Sequence, residues 1–469
     1  MKRSMQWLTW FLCPIIGLLL GSEALFANGG GPPPYILDAE QRSHSYSRDQ
    51  LLQPFKRGDK IYLSLKDCIG IALKQNLDIE MINEKLVQAN EDIAIAFKTM
   101  LPSFGAEASC ARFDEDMVFS FGPASLTFIE KNAYKAGIIV RQPIYMGGRL
   151  KANLKATEHI RDAQSNKKLV VQKEINFQVI RIYHMSKVAE KFYKVASEGV
   201  ELLKAHEHDV AIMVKEGAIP ELDLLRTRTG LANAQKDLNS AKNALNLSLS
   251  ALKNVLYIDL ESPIILTEDS CYLPRPPQDL PEFTRLALKQ RPEIAALKSQ
   301  LAATEEALKA AKGEYLPSIA LEGRYEYMEG DYRDINGDYH WTVGFGAQLP
   351  LWNWGQIRSK IRKTKSQVEE TTLMLKKVKE DICLEVRQNY LNLEKAEKNI
   401  IAAKSTIATA KEAYRLARAG YQAGVVTNTD VLDGHTALLR AEVNLSQALF
   451  EYNLALAALQ KATGVTIIN

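Results

Sequence analysis

Two carboxylates near the C-terminal end of the chain, Asp430 and Asp433, are placed to act on ions. They are three positions apart, so on a helix both side chains lie on one face. Carboxylates attract cations, but an Asp near the first turn of a helix also serves as an N-cap. The two residues by themselves leave both roles open.

The other reactive side chains lack partners. His206 and His208 form a lone HxH pair with no third ligand nearby, and side chains two positions apart on a helix point in different directions. We therefore expect both histidines to be exposed and expect no metal site. Apart from Cys13 in the N-terminal apolar run, the other four of the five cysteines (Cys68, Cys110, Cys271 and Cys383) are scattered without a CxxC pair, which predicts neither a zinc site nor a disulfide framework.

Sequence motifs for catalysis are also missing from the chain. It contains no phosphate-binding glycine loop, no nucleophile elbow and no HExxH. The net charge of +3, without a dense basic run, predicts no nucleic-acid partner. We predict a protein that is not an enzyme and that has no cofactor.

The element that must position these residues is one very long helix. After Pro350 the chain has no further proline, and up to Gly424 its apolar residues recur at spacings of three and four, as in a coiled coil. At about 1.5 Å per residue such a helix is roughly 100 Å long, which a globular core does not require. The helix therefore reaches across a distance.

The chain contains an internal repeat of one structural unit. Residues 72–79 recur as 287–294, and the Leu-Pro-Ser stop at 101–103 recurs at 316–318, both at an offset of 215. The segments 142–149 and 216–225 recur as 349–356 and 423–432 at an offset of 207. Each unit is predicted to contain a helix, two strands, a very long helix, a turn and a return helix.

These patterns divide the chain into five parts. We predict a cleaved signal peptide over 1–27, because Lys2 and Arg3 precede a short apolar run, and a flexible segment over 28–60. The first unit covers 61–256 with a β-hairpin at 103–142, and Ser64 is expected to cap one helix running to Met100. A Pro-rich linker follows over 257–281, and the second unit covers 282–465 with a β-hairpin at 318–349.

The hairpin strands alternate strongly between apolar and polar residues. In the second unit the apolar set consists of Ile319, Leu321, Gly323, Tyr325 and Tyr327 on one strand and Tyr339, Trp341, Val343, Phe345, Ala347 and Leu349 on its partner. Runs of about ten alternating residues with aromatic ends are typical of transmembrane barrel strands. A water-soluble two-layer sheet also alternates. The export signal and the lack of another apolar partner for these faces favour the membrane.

Four strands are too few to close a barrel, and open strand edges are not tolerated in lipid. The smallest single-chain barrels have about eight strands. If the strands span a membrane, the chain must therefore oligomerise. Three copies give twelve strands, so we predict a homotrimer.

The chain from about Leu63 to Gly464 resembles the outer-membrane efflux protein family, the TolC-like exit ducts of tripartite pumps and type I secretion systems. The resemblance rests on the doubled architecture, the two Leu-Pro-Ser junctions, the strand-to-helix segments 142–149 and 349–356, and the tip sequences 421–424 and 429–433. It implies a mainly α protein with membrane β: a trimeric twelve-stranded barrel in the outer membrane, continued by a twelve-helix tunnel into the periplasm.

The resemblance also implies roles for residues at the periplasmic tips of the helix pairs. Asp430 and Asp433 are expected to form acidic rings at the pore constriction, which select cations. Tyr421 is expected to hydrogen-bond to Asp223 on the neighbouring tip and hold the duct closed. Val426 stands where some members have a latch Arg, so that latch is missing. The partners are a periplasmic adaptor protein expected to dock at Gly217 and Gly424, an inner-membrane pump and outer-membrane lipid.

A second class of function stays open from the residues. A periplasmic coiled-coil scaffold or adaptor with a soluble β-domain fits the helices, but it gives no reason for outward aromatic strands, and no lipoyl-like domain is visible. The substrate is open among drugs, metals and proteins. The lack of a metal-binding tract slightly favours drug-type efflux.

Overall fold

The computed structural model describes residues 52–57, 59–122, 124–268, 275, 277–331 and 337–464. The predicted signal peptide, most of the predicted flexible segment and part of the Pro-rich linker lie outside the described residues. The fold is mainly helical, and a sheet of five strands adjoins the N-terminal ends of the two longest helices.

Two helices of 67 residues each form the body of the molecule. Helix α3 spans Arg149–Lys215 and α7 spans Gln356–Gln422, each about 100 Å long at 1.5 Å per residue. Each begins at a glycine in the left-handed conformation, Gly148 (φ 76°) and Gly355 (φ 78°). The return helices are α4, Glu221–Val255, and α8, Asn428–Thr463. The long helix predicted after Pro350 is confirmed as α7.

Each unit opens with two helices, where the sequence predicted one. Helix α1 (Leu65–Gln75) begins at the capping box of Ser64, as predicted, but it stops at Asn76, and α2 (Leu77–Lys98) follows. The break is stable because the Asn76 side chain accepts a hydrogen bond from the Asp78 N–H at 2.9 Å and caps the second helix. In the second unit α5 (Leu280–Gln290) and α6 (Pro292–Gly313) break at Arg291, because a residue before proline is held out of the helical region.

The principal sheet contains five strands, where the sequence predicted four. They are β3 (Ser103–Arg112), β4 (Met117–Phe121), β5 (Ala124–Met146), β7 (Ser318–Asp331) and β8 (Asp338–Gln348). Strands β3, β5, β7 and β8 pair in that order and are all antiparallel. Strand β4 pairs with the first residues of β5, 124–129. The first hairpin is longer than the predicted 103–142, because β5 continues to Met146 through an irregularity after Pro143.

One face of this sheet is continuously apolar. The register places Tyr325 opposite Trp341 and Leu321 opposite Phe345, and it places Ile138 of β5 opposite Tyr325. Side chains on one face of a sheet recur every second residue, so the predicted alternation holds in both strands of the second hairpin. In the single chain these apolar side chains are exposed, Trp341 by 64% and Phe345 by 76%.

The opposite face carries charged side chains that form ion pairs within one strand and between neighbouring strands. Arg141 of β5 and Arg324 of β7 both contact Glu322, at 2.8 and 2.7 Å, and Lys135 contacts Glu326 at 2.9 Å. The sheet therefore has one apolar face and one charged face.

A small second sheet joins the start of the first unit to the segment that follows it, and the sequence did not predict it. Strand β1 (Lys56–Arg57) pairs antiparallel with β2 (Lys60–Leu63), and β2 pairs parallel with β6 (Ile264–Leu266). The end of the predicted flexible segment and part of the predicted linker are thus ordered. Burial explains the order, because Ile61 and Leu63 belong to a core cluster with Ile264 and Leu266.

The two units have separate cores of similar construction. In the first, Ile175, Val179 and Tyr183 of α3 pack with Leu252 of α4 against α1 and β2. In the second, the long helix α7 packs with α8 and α5 through a cluster that includes Phe283, Ile382, Val386, Leu393, Tyr452 and Leu456. Each such large side chain contributes about 1.5–3 kcal/mol when fully buried. Within the described residues, none of the helices is long and apolar enough to cross a membrane.

Candidate gate at the helical tips

The two helix pairs turn at glycines. Gly217 (φ 74°) ends α3, and the Ala218 N–H donates to the Met213 carbonyl at 2.8 Å. Gly424 (φ 73°) ends α7, and the Val425 N–H donates to the Gly420 carbonyl at 2.9 Å. These bonds form a helix C-cap that requires a left-handed residue, so both glycines have a structural role. Both are exposed, and their docking role stays a prediction.

An apolar cluster joins the two tips inside one chain. Val210 of α3, Tyr421 of α7 and Val431 of α8 are buried together, and Val426 packs against them. The position predicted to lack a latch Arg is therefore filled by a side chain that contributes apolar contact.

The predicted hydrogen bond between Tyr421 and Asp223 is not formed within the chain. Among the residues that the structure describes, the buried Tyr421 hydroxyl has no hydrogen-bond partner. Asp223 instead faces Arg226, at 3.7 Å between Oδ1 and Nη1. Burial raises the pKa of the Tyr421 hydroxyl, and the nearby Asp223 carboxylate raises it further. The tyrosine acts here as an apolar ring that packs edge-on to His206, with 5.3 Å between ring centroids.

Because the Tyr421 hydroxyl has no partner in the chain, its removal is expected to leave the tip closed. Replacing Tyr421 with Phe removes an unpaired buried polar group and leaves the packing of the ring in place, so we expect unchanged or slightly raised tip stability. Single-channel conductance of Tyr421→Phe should equal that of wild type, while Tyr421→Ala, which opens a cavity, should raise it. A raised conductance in Tyr421→Phe would instead support the predicted hydrogen bond, formed between neighbouring chains.

Asp430 takes part in capping α8, one of the two roles that the sequence left open: it is the N3 residue of a capping box in which Thr427 is the N-cap. Its carboxylate accepts from the Thr427 N–H at 2.7 Å and from the Thr427 hydroxyl at 2.6 Å, and Thr427 in turn caps α8. These hydrogen bonds from Thr427 lower the pKa of Asp430, so the carboxylate stays ionised in weak acid. The side chain remains exposed beside that of Asp433. The cap therefore leaves its charge available to solvent.

A buried polar network ties the two tips together. His206 of α3 is buried, where the sequence predicted an exposed residue, and its Nε2 lies 2.8 Å from Oδ1 of Asn428 at the start of α8. The Asn428 Nδ2 donates to the Asp223 carbonyl and to Thr227 Oγ1, both at 3.0 Å. His208 is exposed, as predicted, because it points away from this interface.

The network fixes the position of a proton. Both Asn428 donors are directed at acceptors, and Thr227 Oγ1 donates onward to the Asp223 carbonyl at 2.8 Å. The amide oxygen of Asn428 is therefore an acceptor, which assigns the hydrogen to Nε2 of His206. The first helix pair thus donates one hydrogen bond to Asn428 of the second pair and accepts two from it.

A second buried histidine lies in the same interface. His435 of α8 packs against Tyr414, with 5.6 Å between ring centroids, and lies beside Gly199 of α3. Burial lowers the pKa of His435, and its Nε2 has no hydrogen-bond partner among the described residues. The contact between α3 and α8 near the tips thus contains two buried histidines, and burial disfavours the charged form of His435.

The sequence reasoning missed His206, Thr227 and Asn428. It treated His206 only as a potential metal ligand, whereas its hydrogen bond joins residues 222 positions apart. The repeat held one signal: at the offset of 207, Ala413 and Gly434 occupy the places of His206 and Thr227. Here the polar residues present in only one unit, His206 and Thr227, lie where the first unit contacts Asn428 of the second.

Reactive groups of other kinds are not assembled in the described part of the chain. It contains no group of three or more His, Cys, Asp and Glu side chains that could hold a metal ion. Cys68 is buried, and burial raises the pKa of its thiol to about 12, so the thiol stays protonated.

Comparison with known proteins identifies the family. The family model described as outer membrane efflux protein matches residues 68–256 and 284–465, which is most of the chain. The chain belongs to this family of outer-membrane channel proteins, and the resemblance found in the sequence is confirmed.

Individual relatives are distant. The chain is 27% identical over 245 residues to the outer membrane efflux protein BepC of Brucella suis, covering 51% of this chain and only 53% of BepC. It is 23% identical over 304 residues to the cobalt-zinc-cadmium resistance protein CzcC of Cupriavidus metallidurans, covering 64% of this chain and 70% of CzcC. The solved structure of the outer-membrane channel OprN superimposes with a TM-score of 0.74 at 18% identity, over 86% of this chain and 90% of OprN. This last likeness shows the fold.

Proposed function

We propose that the protein is the outer-membrane exit duct of a tripartite efflux pump or a type I secretion system. Three copies form one passive channel, with a twelve-stranded barrel in the outer membrane and a twelve-helix tunnel in the periplasm. The chain is exported with a cleaved signal peptide. A periplasmic adaptor and an inner-membrane pump supply the energy and the cargo.

The observation that carries this proposal is the shape of the principal sheet. Its apolar face is continuous across β3, β5, β7 and β8, and β3 and β8 are both edges with open hydrogen-bonding groups. An apolar sheet with open edges is stable in lipid only when it closes. Pairing β8 of one copy with β3 of the next closes it, and three copies supply twelve strands along that path.

The scaffold alternative loses support for the same reason. A soluble β-domain covers its apolar face with another layer. Here Val343 and Phe345 are exposed by 63% and 76%, and no helix of the described chain packs on that face. The family match favours the duct as well.

The relatives leave the cargo open. CzcC is named for resistance to cobalt, zinc and cadmium, and BepC is named for efflux without a stated substrate. The chain matches only about half of BepC. We assign no cargo class, because the described tips present carboxylates and glycines but no group of metal ligands.

The gate of the duct is proposed at the tips. Asp430 and Asp433 are exposed one helical turn apart at the start of α8, so three copies arranged around an axis would form two acidic rings. The buried network through Asn428 holds the second helix pair against the first. Gly217 and Gly424 stay exposed for the adaptor.

The test is conductance of the purified protein in a planar bilayer, with wild type beside Asp430→Ala/Asp433→Ala. We expect small cation-selective currents in the wild type, and currents that are larger and less selective in the double variant. The single variant Asp433→Ala keeps the cap of α8 and separates the effect of charge from that of a loosened helix end. If neither variant changes the currents, the gate does not lie at these carboxylates. If the protein stays a soluble oligomer and never inserts, the scaffold alternative is supported instead.

A further inference from the structure

The junctions where strands return to the long helices carry exposed apolar side chains that the fold does not use. Between β8 and α7, Leu351, Trp352 and Trp354 are exposed by 87%, 77% and 89%. At the offset of 207, the first unit places Ile144 and Tyr145, exposed by 62% and 42%, where the second has Leu351 and Trp352. We name these five residues the apolar rim.

One residue of the rim is held in an unfavourable conformation. Trp354 has φ 55°, in the left-handed region, where the first unit has Gly147 at φ 64°. A bulky side chain rarely occupies this region, and residues held there concentrate at functional sites. Trp354 gains no burial in return, since it is among the most exposed residues of the chain. Its side chain therefore has a use outside the single chain.

Cations follow the rim at matching positions in both units. Lys151 and Lys155 lie in the first turns of α3, and Arg358 and Arg362 occupy the equivalent positions of α7. Each pair is spaced by four residues and so lies on one helix face. All four side chains are exposed. We name these four residues the cationic collar.

The collar differs from the cations of the sheet in having no carboxylate partner. Arg141 and Arg324 are each ion-paired within the sheet. Among the described residues, no ion pair involves any collar cation, and Arg362 contacts only the Ser359 hydroxyl, at 3.3 Å. Unpaired cations beside exposed indole rings match a surface that offers phosphate and a partly apolar layer.

The dimensions agree with a lipid headgroup layer. Arg358 and Arg362 are two and six residues into α7, about 3 and 9 Å along its axis. The headgroup region on each side of a bilayer is about 5–8 Å thick. If the rim lies at the edge of the hydrocarbon layer, the collar lies among the headgroups.

We propose that the apolar rim and the cationic collar together bind anionic phospholipid headgroups in the periplasmic leaflet of the outer membrane. This inference rests on the proposed function, because it requires the sheet to span that membrane. Each Lys or Arg held near an anionic surface strengthens binding by about fivefold at low salt. Anionic lipid thus fixes the depth of the duct from its periplasmic side.

Tryptophan fluorescence tests the inference directly. After removal of the predicted signal peptide the chain keeps three tryptophans, Trp341, Trp352 and Trp354. The protein is reconstituted in phosphatidylcholine vesicles with a small fraction of brominated phosphatidylcholine or brominated phosphatidylglycerol, whose bromines quench indoles on contact. We expect the phosphatidylglycerol to bind at least fivefold more strongly, with a preference that falls as salt is raised.

The variant that tests the collar replaces Lys151, Lys155, Arg358 and Arg362 with Gln. It should lose the preference for phosphatidylglycerol while keeping the quenching by phosphatidylcholine. The matched control replaces four exposed cations further along α7 (Lys376, Lys377, Lys379 and Arg387) with Gln. It removes the same charge at least 14 residues, or about 21 Å, beyond Arg362 and should keep the preference. Variants with only one unit's pair replaced provide the same test if the fourfold variant does not insert.

The outcomes separate this inference from the proposed function. Quenching by neither lipid shows that the sheet is not in a bilayer, and both ideas then fail. Equal quenching by both lipids keeps the duct and overturns lipid selection by the collar. A collar variant that keeps its lipid preference but changes ion selectivity in planar bilayers would place the four cations in the lumen, and that result also overturns the inference.

Discussion

Replacing Val343 with Arg is expected to abolish stable insertion of the protein into the outer membrane. Val343 is the sixth of the eleven residues of β8, on the apolar face opposite Gly323. An Arg on the lipid face near the bilayer midplane costs about 2–4 kcal/mol in a barrel protein. Three copies raise the cost to about 6–12 kcal/mol for each trimer, which is as large as the net stability of a whole domain.

Membrane fractionation and heat-modifiable mobility on gels measure this effect. The matched control is Gly344→Arg, one residue further along and on the opposite face. Gly344 lies opposite Glu322, and a Cβ atom at Gly344 has no neighbour within 4 Å, so an Arg there meets a carboxylate and open space. We expect Gly344→Arg to insert as a trimer while Val343→Arg stays out of the membrane with its helices intact by circular dichroism. Normal insertion of Val343→Arg would show that the apolar face does not meet lipid.

Replacing Asn428 with Ala should open the periplasmic end of the duct. Asn428 is 2% exposed and links His206, Thr227 and the Asp223 carbonyl. Its removal leaves the Nε2–H of His206 buried without an acceptor, which costs about 1–3 kcal/mol in each chain. In the proposed gate, opening moves one helix pair relative to the other, so the closed state would lose this energy. At 1.4 kcal/mol per factor of ten, three chains shift the equilibrium towards the open state by more than a hundredfold.

Single-channel recording of Asn428→Ala therefore should show a higher open fraction and a larger mean conductance than wild type. Thr429→Ala is the control, since Thr429 is the exposed neighbour and leaves the network intact. The double variant His206→Ala/Asn428→Ala removes both partners. Its open fraction should be lower than the separate effects of His206→Ala and Asn428→Ala predict when they are added. Conductance of Asn428→Ala equal to that of Thr429→Ala would contradict a latch at this site.

Much of the architecture follows from the sequence because it is periodic and local. The three-to-four spacing after Pro350 predicts α7, and the two-residue alternation predicts which side chains of β7 and β8 share a face. Ser64 and its capping box mark the start of α1. The family resemblance follows from short motifs in a fixed order along nearly the whole chain, and comparison with known proteins confirmed it.

The tertiary structure decided what depends on contacts between distant residues. The sequence predicted one helix where Asn76 divides two, and it left 257–281 as a linker where Ile264–Leu266 pairs with β2. It also paired Tyr421 with Asp223, although the hydroxyl is buried without a partner in the chain.

The tip illustrates the physical reason. Residues near each other on one helix share a local pattern that can be read in the sequence, and this pattern places Asp430 and Asp433 on one face of α8. Whether a side chain is buried is set by what packs over it. His206 and Asn428 meet across 222 residues because α3 and α8 lie side by side, and no periodicity encodes that contact. The sequence by itself determined the elements and their apolar faces, whereas only the packing of the two helix pairs selected the residues that hold the tip together.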